Sequence, residues 1–452
     1  MCITFDSKGE NCFMKKFITS VLVCVMTLGL AVGFAACKKG ETPAHSCENQ
    51  KTEYVIDGGA VHYKSECTCG KTSDTVITNA VVLTPETAQG VLDGNIDGKT
   101  IVFNGTFTQK LSIRQTKATS KVYSYTLETI TAGTNSRTKI IRGDEITGEL
   151  TGVSKDYLYQ RSVSNVTFAA TKGTVLQRGF VALAGTGNFG ASSIPTNYDS
   201  NKDYVISETG VEFTKGNGYM STLKLNNLKF ENMRFVTQAD ATELEANHSH
   251  LRLFSDSDLC EFNNIKVKGC TMIGSEAAKT FNIRLAGVYV GNSCFPDTID
   301  GVTVEDCNVS GYAHGIGTWR ADNVVIKRNV VSNTRHNSIC VGSEDDANFL
   351  ALNNGYISGK VVLEDNVLID SGNMTIKIHS LQNATVSVKN NAVYNVVKIH
   401  IGWPYLFQQG NAINSSYVWS GNTFNGDKVK KIDGNKGNHD WFYIYVPGYV
   451  AA

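Results

Sequence analysis

Apolar and polar positions in the second half of the chain follow a nine-residue pattern. It runs as a polar residue, an apolar, any residue, an apolar, two polar residues, Cys or Asn, any residue and an apolar. The pattern reads NIKVKGCTM from Asn264, GVTVEDCNV from Gly301, NVVIKRNVV from Asn323 and KVVLEDNVL from Lys360, with weaker copies from Asn227, Thr385 and Ser416. Successive starts at 227, 264, 301, 323, 360, 385 and 416 lie 37, 37, 22, 37, 25 and 31 residues apart. A core of constant length joined by spacers of variable length is the mark of a solenoid.

Apolar residues at i and i+2 have the period of a strand with one buried face, and no copy carries a helical stripe. Each copy therefore predicts a short strand, a tight turn at the polar pair and a second short strand. Stacked with a variable loop per repeat, such units form one coil each of a parallel β-helix. The seventh position gives the column Met233, Cys270, Cys307, Asn329, Asn366, Asn391 and Asn422. Its four Asn predict an amide ladder, each side chain bonding the next coil's equivalent.

Upstream, the stretch TPETAQGVLDGNIDGKTIVFNGTF places Thr84 as an N-cap and Pro85 at the first helical position of a helix over about 85–93. A strand at Thr100–Phe103 and a turn at Asn104-Gly105 then open the first coil. With the repeat, this resembles the right-handed parallel β-helix proteins of the pectate-lyase-like superfamily over residues 84–424. The resemblance implies an all-β, right-handed solenoid plugged by that helix, and is specific for fold rather than function. Residues 425–452, ending FYIYVPGYVAA, are expected to cap the last coil and hide its strand edges.

Met14-Lys15-Lys16 begins a basic segment, Phe17 to Val32 is apolar, and Gly33-Phe34-Ala35-Ala36-Cys37 follows. Small residues before a Cys resemble a bacterial lipobox. The resemblance implies a signal peptide over residues 1–36 with its true start at Met14, lipidation of Cys37, and a linker over 37–44. The membrane is then a partner through the lipid anchor alone, and the body sits on the extracytoplasmic face of a bacterial cell membrane.

Residues 45–75 form a small Cys/His unit with His45, Cys47, His62, Cys67 and Cys69. Either a structural zinc held by Cys47, His62, Cys67 and Cys69, or a disulfide from Cys47 to Cys67 or Cys69, would supply the folding energy so short a segment lacks. In the solenoid, Cys270 and Cys307 share a column on successive coils, where strands lie about 4.8 Å apart. They form either a disulfide or a pair of small stacked side chains.

The strand before each copy reads HLRLF from His250, GVYVG from Gly287, GIGTW from Gly315, SICVG from Ser338, TIKIH from Thr375 and KIHIG from Lys398. Aligning the buried positions puts Arg252, Tyr289, Gly317, Cys340, Lys377 and His400 in one outward column. Phe254, Gly291, Trp319, Gly342, His379 and Gly402 form a second. Cations and aromatics separated by glycine gaps suit a polymer of sugars bearing carboxylates: rings stack on pyranoses and cations meet the acids.

The superfamily resemblance implies that such a strip is where β-helix polysaccharide lyases work. Abstraction of the proton alpha to a uronate carboxylate needs a base and charge neutralisation. Lys377, His379 and His400 are the candidate bases, and Arg320 and Arg252 the candidate neutralising groups. Tyr289 and Trp319 would stack on the chain, with His314, Arg335 and His336 overhanging it. Glu344, Asp345 and Asp346 offer oxygen ligands to calcium. The loop Val236–Ser249 adds Asp240, Glu243, Glu245 and His248, with His250 beyond it, as either a second cation site or an acidic surface helix. The insertion at 190–222 reads as loop with two strands.

Lys plus Arg and Asp plus Glu are equal at 42 each, so no global field draws nucleic acid or anionic lipid. Nucleotide-binding Gly loops and a nucleophile elbow are missing, and the outward columns lack the paired carboxylates of a glycosidase. The sequence therefore predicts a monomeric surface protein that recognises an acidic polysaccharide or surface glycan; whether it also cleaves the polymer, by β-elimination as a polysaccharide lyase would, is left open. The competing class is a non-catalytic adhesin or structural spacer using the same face.

Overall fold

A computed structural model describes residues 50–113, 116–117, 122–132, 135–145, 158–184, 204–207, 211–213, 218–237, 250–255, 261–275, 286–292, 299–342, 356–372, 374–396, 405–428 and 442–445. The chain divides into two compact units, Met1–Val76 and Ile77–Ala452.

The larger unit is a parallel β-helix in which each full coil gives one strand to each of three parallel sheets. The first sheet holds the opening strand of the repeat, as in Glu261–Lys268, Ile299–Glu305, Asp322–Lys327 and Ile357–Glu364. The narrow second sheet holds Thr271–Ile273, Asn308–Ser310, Val330–Ser332, Val367–Ser371 and Ala392–Val396. The third holds Leu251–Ser255, Ala286–Asn292, His314–Trp319 and Asn337–Gly342, then the first half of Met374–Lys389 and Tyr405–Ile413. Alternate residues point inward, so Val304, Val309, Ile316 and Ile326 are fully buried in consecutive strands. The N-terminal coils are filled by aromatics, with Phe168 stacked on Phe230 at 5.0 Å.

The second polar residue of the repeat is a left-handed turn. Asn232, Gly269, Asp306, Arg328, Asp365, Asn390 and Gly421 all have φ between 53° and 68°. Asn, Asp and Gly dominate the column because they reach this region at low cost. One residue later the amide ladder forms as the sequence indicates. Asn329 Nδ2 donates to Asn366 Oδ1 at 3.0 Å, Asn366 Nδ2 to Asn391 Oδ1 at 2.9 Å, and Asn391 Nδ2 to Asn422 Oδ1 at 2.9 Å. Each Oδ1 also accepts the preceding coil's backbone N–H, from Cys307, Asn329, Asn366 and Asn391 in turn. Cys270 and Cys307 are buried free thiols, not a disulfide. Cys307 Sγ donates to Glu305 O at 3.2 Å and Cys270 Sγ to Phe230 O at 3.4 Å, so thiols continue the column where the ladder lacks Asn.

The first sheet carries an outward column of alternating charge that the repeat pattern did not reveal. Its register runs Lys268, Glu305, Lys327, Glu364 and Lys389. The Glu305 side chain is only 5% exposed, with Lys266 at 2.6 Å, Arg328 at 3.1 Å and Lys327 at 3.4 Å. Burial pushes its carboxyl up, but the Lys266 hydrogen bond and the charges of Lys266, Lys327 and Lys268 outweigh it and hold it below the usual range.

The capping helix spans Ala88–Asp93, later than the expected start at 85. Thr84 opens a turn, its carbonyl accepting the Ala88 N–H at 3.0 Å, and the regular helix begins after it. Ala88 and Leu92 are buried against the first coils. Arg161 clamps the helix C-terminus by donating to Leu92 O and Asp93 O, both at 2.9 Å, and to Gly94 O. A strand at Ala80–Leu83 precedes the helix and pairs with Thr100–Phe103, extending the first sheet by one strand.

An antiparallel sheet of Asn135–Glu145, Val122–Ala132 and Tyr204–Ser207 interrupts the solenoid. Its hairpin does not match the nine-residue repeat and was not read from it. Within the 190–222 insertion, Tyr204–Ser207, Val211–Phe213 and the start of Gly218–Glu231 are strands. At the far end, Phe442–Tyr445 pairs antiparallel with Tyr405–Ile413.

His250, considered above as a cation ligand, is an interior residue. Thr237 Oγ1 lies 3.1 Å from its Nε2, and the Tyr312 hydroxyl bonds its Nδ1. Burial pushes the imidazole pKa down to about 3 and the Tyr312 phenol well up, so both are neutral. Asp240, Glu243, Glu245 and His248 lie outside the described residues.

The smaller unit is a three-stranded antiparallel sheet of Gln50–Asp57, Ala60–Cys67 and Thr72–Val76, with the first hairpin turning on Gly58-Gly59, both at positive φ. Cys67 is disulfide-bonded, and its partner, like His45 and Cys47, lies outside the described residues. A disulfide sulfur offers no thiolate, so the zinc set of Cys47, His62, Cys67 and Cys69 does not form here. His62 Nδ1 instead meets Asp74 Oδ1 at 2.7 Å, and Cys69 is exposed.

Candidate functional site

The outer face of the third sheet carries the strip read from the sequence. Cα partners run Arg252, Tyr289, Gly317, Cys340 and Lys377 along one column. The column continues to Gln408, not to His400. The next strand is Tyr405–Ile413, which begins after the KIHIG segment, and His400 lies outside the described residues. The parallel column runs Phe254, Gly291, Trp319 and Gly342.

At one end Arg252, Phe254 and Tyr289 form a half-buried cluster. The Arg252 guanidinium lies 4.6 Å from the Phe254 ring centre and 5.9 Å from that of Tyr289. The two rings are 5.6 Å apart and tilted. Such contacts hold the cation at a fixed height above the sheet, its aromatic faces shared between ion and solvent.

The glycine positions are beds for neighbouring side chains, not open gaps. A Cβ on Gly317 would lie 3.0 Å from Tyr289 Cδ2, one on Gly291 would lie 2.8 Å from Trp319 Cβ, and one on Gly342 would collide with His379 Nε2. The Tyr289 and His379 rings thus lie over Gly317 and Gly342 of the adjacent coils, and Gly291 leaves room for the Trp319 Cβ and the edge of Tyr289. Gly342→Ala is expected to displace the His379 ring and cost about 1–3 kcal/mol through overpacking. A urea midpoint equal to that of the parent protein would contradict this placement.

His379 is fully buried and packs edge-on against Trp319 at 5.3 Å. Arg320 is 2% exposed, with positive φ and its N–H donating to Gly342 O at 2.7 Å. Neither presents its side chain to a polymer resting on the strip, contrary to expectation. The reason is local: both stand where the third sheet turns toward the first, and Ser380, next to His379, also has positive φ. Lys377 and Tyr289, in mid-strand, remain partly exposed.

At the strip's other margin His314 and His336 stack at 5.7 Å with 22° between planes. Arg335 and His336 belong to the corner between the second and third sheets, where their N–H groups donate to Tyr312 O and Ala313 O. The calcium candidates Glu344, Asp345 and Asp346 lie outside the described residues, as does the lipidation candidate Cys37. Among the described residues no three His, Cys, Asp or Glu side chains gather as a metal site, and no helix is long and apolar enough to cross a membrane.

Three parallel sheets and a cation-aromatic strip define a parallel β-helix protein. Among solved structures the chain is similar to a GH136 lacto-N-biosidase from Eubacterium ramulus, at 11% identity over 76% of this chain and 67% of that one, with a TM-score of 0.24. It is similar to a point mutant of the periplasmic alginate epimerase AlgG, at 10% identity over 78% and 85%, with a TM-score of 0.23. It also resembles PfbA, a surface adhesin of Streptococcus pneumoniae, at 10% identity over 81% and 100%, with a TM-score of 0.24. Superpositions this loose carry no argument about the chemistry of this chain. No protein-family model matches the chain, and neither does any curated protein.

Proposed function

We propose that this β-helix is an extracytoplasmic, lipid-anchored protein that binds an acidic polysaccharide along the third sheet. The observation that supports it is the registration of Arg252, Tyr289 and Lys377 in one outward column, with Arg252 seated over Phe254. Arg252 and Lys377 are four strands apart, so about 19 Å separates the two cations along the solenoid axis. A chain of several uronates spans that distance, with Tyr289 and Phe254 presenting ring faces to the pyranoses. Cleavage, where it occurs, falls to Lys377 as the base, because His379 is buried while Lys377 is partly exposed in mid-strip. Calcium bound by Glu344, Asp345 and Asp346 would supply the charge neutralisation.

The full chain is to be tested against a panel of uronate polymers, with and without calcium, scoring retention and the absorbance of unsaturated products. Arg252→Ala is expected to weaken retention about 10-fold or more, the loss of a cation that meets a carboxylate. Lys377→Ala is expected to abolish any unsaturated product while the protein stays folded. Retention without product in the parent protein assigns the strip to binding alone, and parent-like retention by Arg252→Ala removes it as the site.

A further inference from the structure

Three sulfur-bearing residues stand one above another at the corner between the first and second sheets. Met233, Cys270 and Cys307 occupy the ladder position on three successive coils, and the four coils after them hold Asn there. Backbone bonds tie them coil to coil, the Thr271 N–H donating to Met233 O at 2.8 Å and the Asn308 N–H to Cys270 O at 2.9 Å. All three lie inside, Met233 and Cys270 1% exposed and Cys307 2%. The thiols take the carbonyl contacts that the amides take further along. Cys270 Sγ donates to Phe230 O at 3.4 Å and Cys307 Sγ to Val267 O at 3.8 Å, as Asn366 Nδ2 donates to Ile326 O. Each sulfur therefore points to the coil before its own, Cys270 toward that of Met233 and Cys307 toward that of Cys270. Burial and the adjoining Cys270 thiol push the Cys307 thiol well up, while the Cys270 backbone N–H beside it pulls the other way. Cys is 12 and Met 7 of 452 residues, so composition does not account for three sulfurs at consecutive positions of one column. Sulfur here also forfeits the amide-to-amide bonds that Asn makes in the same corner, so stability alone favours Asn.

We propose that Met233, Cys270 and Cys307 hold one Cu(I) ion between the coils, with two thiolates and a thioether as its ligands. Soft sulfur ligands suit Cu(I), whereas a structural zinc takes four ligands and this column offers three. The spacing fits a bridging ion. Adjacent strands lie about 4.8 Å apart, and two metal–sulfur bonds of about 2.3 Å, the length of a zinc–thiolate bond, span about 4.6 Å. An ion between Cys270 and Cys307 thus joins two coils without moving the backbone, and the long, adaptable Met233 side chain reaches in from the coil before. Binding exchanges two S–H bonds for two Cu–S bonds: both protons leave to solvent, copper stays monovalent and no electron moves. The bound unit carries one negative charge, which the Cys270 N–H beside the Cys307 sulfur favours. With the three sulfurs buried, the ion enters before the coils close. The site is interior and independent of the third-sheet strip.

The test is to refold the full chain with Cu(I), kept reduced by ascorbate under nitrogen, and to count copper per chain after a Cu(I) chelator has stripped loosely held metal. The double variant Cys270→Asn with Cys307→Asn removes both thiols and extends the amide ladder, so it is expected to fold. The parent is expected to retain about one copper per chain more than this variant, and to unfold at a higher temperature when loaded, which the variant does not. Cys307→Ser, which leaves one thiol, is expected to lose the same copper and keeps the comparison if the double variant does not fold. Met233→Leu conserves volume and is expected to lose copper to the chelator about 10-fold or more readily than the parent. Equal copper in the parent and in either cysteine variant overturns the proposal. A Cys270–Cys307 disulfide in the parent as isolated also overturns it, because an oxidised pair offers no thiolate. Parent-like release from Met233→Leu overturns the three-sulfur site.

Discussion

Asn366→Ala is expected to destabilise the solenoid by about 3–5 kcal/mol, read as a fall in the urea midpoint. Asn366 Oδ1 accepts the Asn329 N–H and the Asn329 amide, both at 3.0 Å, while its Nδ2 donates to Ile326 O and Asn391 Oδ1, both at 2.9 Å. The residue is fully buried. Alanine therefore strands a backbone N–H, a side-chain N–H and a carbonyl where water does not reach, at roughly 1–3 kcal/mol each before relaxation. Asn422 ends the ladder and is 4% exposed, so Asn422→Ala lets water approach the stranded groups of Asn391 and is expected to cost about 1–2 kcal/mol. Equal costs for the two variants would show that the ladder adds nothing beyond its separate pairs.

Acidification is expected to weaken the fold through His250, with the dependence lying between pH 6.5 and about 3. The buried imidazole has its pKa lowered from 6.5 to about 3, so in that window the unfolded chain holds a proton the folded protein does not. Stability from this group is therefore complete above pH 6.5 and falls as the pH drops, by up to about 1.4 kcal/mol per unit. The full span is on the order of 3–5 kcal/mol. His250→Phe is expected to be less stable at neutral pH, because the Tyr312 hydroxyl and Thr237 lose their partner, yet to lose less on moving from pH 7 to pH 5. Parent and variant with the same slope over that interval would place the acid sensitivity elsewhere.

The third-sheet strip shows how far register carries a reading of function and where it stops. Alignment of buried residues was enough to bring Arg252, Tyr289, Cys340 and Lys377 into one column, because a strand's two-residue period leaves no freedom once its inward set is known. It failed for His400 because the next strand starts at Tyr405, and the length of a corner is not written in the alternation of its flanking strands. It misjudged His379 and Arg320 for a related reason. At a corner the left-handed residues turn the chain, and a position outward by parity becomes covered. The glycines were misread as space because only a neighbouring coil reveals that the rings of Tyr289 and His379 lie over Gly317 and Gly342.

By itself the sequence determined the parallel β-helix, its ladder of Asn329, Asn366, Asn391 and Asn422, and the columns of its outward faces. These follow from a local period repeated along the chain, and stacking identical units multiplies each local preference. Only the tertiary structure decided which outward residues stay open, which cysteine is bonded, and where Glu305 and His250 find their partners. Those properties arise between coils or at corners, from residues 22 or more positions apart such as Glu305 and Lys327, or 62 apart such as His250 and Tyr312. No window of local sequence spans them.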